Sequence, residues 1–151
     1  MTARLIGIAR AAASRAPLEI LERVTIGVAD GLDGDFHGTR PLRQVSVLFQ
    51  EGWEDACRDL GADLPWLTRR ANLYVAGLER PRQEGGRLVI GEVVLEVMEE
   101  TRPCSVMEMA HAGLRAALRP DWRGGVLCRV LTGGEVRQGD SVTYRPATAD
   151  A

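Results

Sequence analysis

The chain contains no lysine; all 19 of its basic residues are arginine. Without a side-chain amine no internal aldimine can form, so pyridoxal-phosphate catalysis through one is excluded. Any anion held by a cationic side chain must be held by arginine, whose planar fork suits phosphate and other oxyanions. Cysteine is also scarce. The three, at positions 57, 104 and 128, make an odd count without a CxxC pair. That argues against a disulfide framework and against a four-thiolate zinc or iron–sulfur site. His37 and His111 are the only imidazoles and give a conventional zinc site little support. A net charge of −2 and a pI near 5.7 lack the basic excess of a generic nucleic-acid binder. No apolar run approaches the roughly 20 residues of a membrane span. Arg4 and Arg10 interrupt the stretch where a signal peptide would lie.

What remains is an ordinary globular composition, 45% hydrophobic and 26% charged over 151 residues. That length fits a single domain with a continuous core. The expectation is one domain over 1–151, with its core at about 5–144 and a frayed tail at 145–151, in a soluble cytoplasmic protein.

Strand signals dominate. Leu5–Ile8, Ile20–Leu21 and Val24–Ile26 are apolar patches, and Gln44–Leu48 alternates. Asn72–Val75, Arg87–Ile90, Val93–Met98, Val126–Leu131 and Ser141–Tyr144 follow, with Thr132–Gly134 predicting a hairpin and Gln138–Asp140 a second turn. One helix is clear. Phe49, Trp53, Ala56, Cys57 and Leu60 recur at helical spacing, and Gly61 supplies the stop. Asp30–Gly38, dense in glycine and aspartate, reads as an ordered loop. Cys57 and Cys128 both lie on apolar stripes and read as packing residues. Many short strands with glycine turns predict a mainly β fold, a small closed barrel with inserted helices.

Cys104 differs from the other two thiols. It follows Pro103 and Arg102, and Ser105 with Glu108 predicts a capping box that starts a helix. A sulfur just before that N-cap, beside an arginine, would be fixed and favoured as thiolate, suited to a soft metal or a second sulfur. It reads equally as a cysteine filling a loop–helix junction. Asp35 and His37 in the glycine-rich loop read as either an anion cradle or an ordinary turn. Arg40, Arg43, Arg69, Arg70 and Arg102 are candidate oxyanion binders. Arg70 and Asn72, two residues apart, would point to one side of an extended segment and offer charged and neutral donors together.

Gly34-Asp35-Phe36-His37-Gly38 comes first, then Arg69-Arg70-Ala71-Asn72-Leu73, then Arg102-Pro103-Cys104. Gly124-Gly125, Arg129-Val130-Leu131 and Gly139-Asp140 complete the order. In this order the segments resemble a stand-alone MOSC domain, the module also found at the C-terminus of molybdenum cofactor sulfurases. The resemblance runs from about Leu5 to Tyr144. It implies a barrel with inserted helices and a pocket that meets the molybdenum cofactor or its sulfur. It implies Cys104 as the molybdenum ligand or sulfur carrier, and Arg70, Asn72, His37 and Gly38 as cofactor-proximal residues. Arg43 and Arg102 join them as candidate cofactor-binding cations. The sulfurases' aminotransferase-like domain is not among these residues, which agrees with the missing lysine. One implied mechanism reduces N-hydroxylated compounds at molybdenum with a separate electron-donor protein. The other carries a persulfide on Cys104, loaded by a sulfur-donor protein. A third reading, from a different class, is a non-catalytic barrel that binds a small anion or a protein partner, with all three cysteines structural.

Overall fold

A computed structural model describes residues 3–147. Its elements in chain order are β1 (Ala3–Arg10), β2 (Glu19–Leu21), β3 (Arg23–Gly27), β4 (Gly31–Leu32), β5 (Val45–Phe49) and α1 (Gln50–Leu60). After a 3-10 turn at Trp66–Arg69 come β6 (Leu73–Ala76), β7 (Arg87–Ile90), β8 (Val93–Glu100), α2 (Ser105–Ala110) and α3 (Leu114–Leu118). A second 3-10 turn at Pro120–Trp122 leads into β9 (Val126–Thr132), β10 (Gly134–Arg137) and β11 (Ser141–Arg145).

Seven strands close a barrel in the order β11-β7-β8-β9-β5-β6-β1, with β1 returning to pair β11. The period-2 pattern decides which side chains go inside. Val93, Leu95 and Val97 of β8 and Val126, Cys128 and Val130 of β9 point inward. So do Leu5 and Ile8 of β1, whose phase is reset by a bulge between Leu5 and Gly7. Leu5, Ile8, Leu73, Leu88, Ile90 and Leu95 are 0% exposed. Each such side chain stabilises the fold by about 1.5–3 kcal/mol.

The outer face of β5 and β6 is divided in two, and this division creates the site. Leu48 and Tyr74 face out from the barrel and are covered by a second apolar layer. That layer contains Trp53, Ala56 and Cys57 of α1, Met107 of α2, and Leu114 and Leu118 of α3. Two residues earlier on the same faces stand Ser46 and Asn72, which are not part of that apolar layer. β5 and β6 are the barrel's parallel pair. A parallel pair needs a long crossover. Here α1 and the Trp66–Arg69 turn provide it, and the turn delivers Arg69 and Arg70 to the uncovered half.

Two expectations need correction. Thr132–Gly134 is not a hairpin, because β10 does not pair with β9. It leaves the barrel and joins β3 and β4 in a small second sheet. Gly133 allows the corner: a Cβ there would lie 2.7 Å from the Ile26 carbonyl oxygen. The predicted tail also starts too early. Arg145 is the last residue of β11 and pairs with Arg87, and 148–151 lie outside the described residues.

Candidate functional site

Ser46, Leu127 and Glu99 stand in register across β5, β9 and β8, and Asn72 lies beside Ser46. Alternating with core residues, they form an outward-facing row that floors two of three adjoining clefts. The largest, about 650 Å³, is walled by Cys104, Arg102, Arg43, Thr101 and Trp122. A smaller one of about 150 Å³ is lined by Arg40, Arg43, Arg69, Arg70, Asn72 and Thr101. A third of about 180 Å³ holds Arg69, Arg70 and Cys104 together. His37 lines all three.

Cys104 is exposed, whereas Cys57 and Cys128 are buried. Burial, with Glu96 adding to it, pushes the Cys128 thiol well above its usual range. The expected capping box does not form, and the helix starts one residue earlier. Cys104 itself occupies the N-cap position and makes no side-chain cap bond. Ser105 is the first helical residue. Glu108 turns forward and accepts from the backbone N–H groups of Gly113 at 2.9 Å and Arg115 at 3.3 Å. Six residues make α2 too short to supply the positive helix end that the sequence suggested. Positive charge beside Cys104 comes instead from Arg69.

Arg69 is 8% exposed. Its Nε donates to the Gly124 carbonyl at 3.0 Å, and its Nη2 has no partner. Burial pushes the guanidinium down to about 10, and the charge of Cys104 acts in the opposite direction. At neutral pH Arg69 therefore stays a cation, at a cost in solvation.

Arg70 is not on an extended segment. It has φ 61° and ψ 35°, the left-handed residue that ends the Trp66–Arg69 turn. Its Nη2 donates to the Ala16 carbonyl and ties down the 11–18 loop. Asn72 is 4% exposed and braces three strands. Its Oδ1 accepts from Ser46 N–H at 3.0 Å and Ser46 Oγ at 3.2 Å, and its Nδ2 donates to Ala9 O at 3.2 Å. The pair thus reaches the clefts by different routes, Arg70 from the loop side and Asn72 from the strand floor.

His37 is set by Asp35. The Asp35 carboxylate accepts from His37 N–H at 3.2 Å and from Ala11 N–H at 3.0 Å, and its Oδ2 meets His37 Nδ1 at 3.1 Å. Burial alone would raise the Asp35 carboxyl. The bonds from His37 and Ala11 outweigh it, and the net shift is downward. An ionised Asp35 keeps the proton on Nδ1 and leaves Nε2 as the free ring nitrogen. Gly38 shapes the loop, since a Cβ there would sit 1.8 Å from the Asp30 carbonyl oxygen. Arg43 is paired to Glu99 at 2.6 Å. Arg102 is exposed beside Glu100, whose carboxyl is raised by burial against the opposing pull of Arg102.

The structure therefore brings Cys104, His37, Arg43, Arg70, Asn72 and Arg102 to one outer wall of the barrel. Sequence reasoning had no ground to single out Arg69 among five arginines and missed Thr101 and Trp122. The Gly124-Gly125 step was a usable signal for Thr101 alone. A Cβ at Gly124 would lie 2.4 Å from the Thr101 carbonyl oxygen, so only glycine lets the Thr101 backbone approach there. Nothing in the sequence marks Trp122.

Arg69 and Thr101, each with a buried, partnerless polar atom, line clefts that also hold an exposed thiol. That donor set fits a ligand with an anionic end and a thiophilic end, and the molybdenum cofactor has both.

Fold and site together define a small β-barrel protein with an arginine-lined, thiol-bearing cleft on its outer wall. The MOSC domain model matches residues 33–143, and the chain belongs to that family. YuaD from Bacillus subtilis is a similar solved structure, with TM-score 0.81, 21% identity and 98% coverage of both chains. YiiM from Escherichia coli superposes with TM-score 0.70 at 16% identity, over 98% of this chain and 72% of that one. YiiM from Geobacillus stearothermophilus gives 0.65 at 17% identity, over 96% and 74%. At these identities the likeness is one of fold. No similar sequence is found among curated proteins.

Proposed function

We propose that the protein binds the molybdenum cofactor on the outer wall of its barrel, with the Cys104 sulfur as the molybdenum ligand, and reduces N-hydroxylated compounds. The observation that carries this reading is the placement of the exposed Cys104 in one cleft with the buried cation Arg69. When bound, the cofactor supplies a redox-active metal, and the two electrons per N–OH bond come from a separate electron-donor protein. The chain's residues supply the rest. Cys104 is held rigidly by Pro103 and the start of α2. The arginines stabilise the anionic end of the ligand. His37, fixed by Asp35, presents its unprotonated Nε2, which can accept a hydrogen bond from the substrate's N–OH group, while the protons for the departing hydroxyl come from solvent. The 650 Å³ cleft lies within the range of small-molecule sites.

The same exposed sulfur supports a second reading, in which Cys104 carries a persulfide. A sulfur-donor protein would hand over its terminal sulfur and keep its own thiol. Elemental analysis and intact mass of protein made in a cofactor-producing host separate the readings. Stoichiometric molybdenum that is lost in Cys104→Ala supports the reductase. A gain of one sulfur on Cys104 without molybdenum supports the carrier. Neither signal, in a Cys104→Ala protein indistinguishable from wild type, returns the protein to a simple binding module and overturns both.

A further inference from the structure

Four residues other than glycine have positive φ among the described residues, and two of them are neighbours: Asp121 at 56° and Trp122 at 57°. A bulky side chain rarely takes that conformation, and two in a row persist only where the surroundings hold them. The holder is Arg80, which is 4% exposed. Its Nε donates to the Asp121 carbonyl at 2.6 Å and its Nη2 to the Asp121 carboxylate at 2.8 Å. Its Nη1 meets Glu51 of α1 at 2.9 Å. Gly52 leaves room for the arginine stem, since a Cβ there would lie 3.1 Å from Arg80 Cδ. Arg82 bonds the same Asp121 carboxylate at 2.7 Å. On the other side of Trp122, Arg123 is tied to Asp59 at 2.6 Å. Both neighbours of Trp122 are thus fixed to α1. The indole between them lines the 650 Å³ cleft of Cys104, where Leu127 is the other large apolar residue.

We propose that Arg80 is a positioning residue for the cleft of Cys104: by clamping Asp121 it fixes Trp122 as a rigid apolar wall, and that wall sets how wide a ligand can reach the thiol. The planar guanidinium serves a carbonyl, a carboxylate and Glu51 at once, which the compact charge of a lysine ammonium does not do. Arg80 is not among the residues lining the cleft, so it acts through the Pro120–Trp122 turn. The inference rests on the reading of this cleft as the ligand site and does not require molybdenum.

The test uses cofactor-free protein and two thiol reagents of different width, iodoacetamide and pyrene maleimide, and reads the ratio of their rates at Cys104 by mass spectrometry. Trp122→Gly removes the indole while accepting the left-handed backbone, and is expected to raise the maleimide-to-acetamide ratio by about threefold or more. Arg80→Lys is expected to raise the ratio in the same direction. The double variant is expected to go no further than Trp122→Gly alone, because the arginine acts through the indole. An Arg80→Lys protein that melts lower but keeps the wild-type ratio has lost only stability, and that result overturns the proposal. Additive effects in the double variant overturn it too. If Arg80→Lys fails to fold, Asp121→Ser, at a half-exposed side chain, removes the same clamp and decides by the same two readings. Both rates are measured without the metal, so failure of the reductase reading would show only in the loaded protein and leave this result standing.

Discussion

Asp35 shows how one carboxylate organises a loop. Its pKa is lowered in the fold, so it stabilises the protein above its unfolded value of about 3.9 and loses that contribution as pH falls through the folded value. Asp35→Asn is therefore expected to melt lower than wild type at pH 7, with the gap closing in acid, as thermal denaturation at several pH values will show. Asn72 makes a second case. Because its amide is committed to Ser46 and Ala9, Asn72→Ala is expected to destabilise the fold by about 1–3 kcal/mol for each buried group left unsatisfied. Urea denaturation measures that loss, and a stability unchanged within error would contradict the bracing role. Residue chemistry was partly legible in the sequence. Pro103-Cys104 stood out because the thiol follows a proline with Arg102 two residues before it, and the structure leaves that thiol exposed. Arg69 could not be separated from its neighbours, because burial is a property of packing and leaves no mark on composition.

Glycine governs the elements around the site. Gly61 ends α1 at φ 73° with open space around its Cα, so Gly61→Ala carries only the backbone penalty, about 1 kcal/mol. Gly124→Ala faces the Thr101 backbone at 2.4 Å and must move it, an overpacking cost of about 1–3 kcal/mol. Chemical denaturation should rank Gly124→Ala below Gly61→Ala, and the reverse order would contradict the close approach at Gly124. At this scale periodicity located α1, β5, β8 and β9 well. It failed at Thr132–Gly134, where the glycines signal a corner and strand pairing is decided by a distant partner, β3. It also failed at Ser105, where Glu108 bonds forward to the next helix instead of back to the cap.

The whole molecule consists of a closed barrel with a helix layer over part of its outer wall, and the candidate site occupies the part left bare. That arrangement orders the thiols. Cys104 is expected to alkylate at the rate of an exposed thiol, while Cys128, 0% exposed inside the barrel, reacts only through opening of the fold. Mass-resolved labelling with iodoacetamide will show this, and comparable rates would mean the barrel does not protect its interior. Mainly β class and barrel closure were legible from alternation and turns. Which outer residues the helices cover was not, since Ser46 and Leu48 differ only by packing partners distant in sequence. No helix among the described residues is long and apolar enough to cross a membrane.

The most direct measurement of the account is X-ray absorption at the molybdenum edge of cofactor-loaded wild-type and Cys104→Ser protein. Coordination through Cys104 predicts one metal–sulfur scatterer fewer in the variant, or no retained metal at all. An identical sulfur shell at full occupancy in both proteins would contradict it.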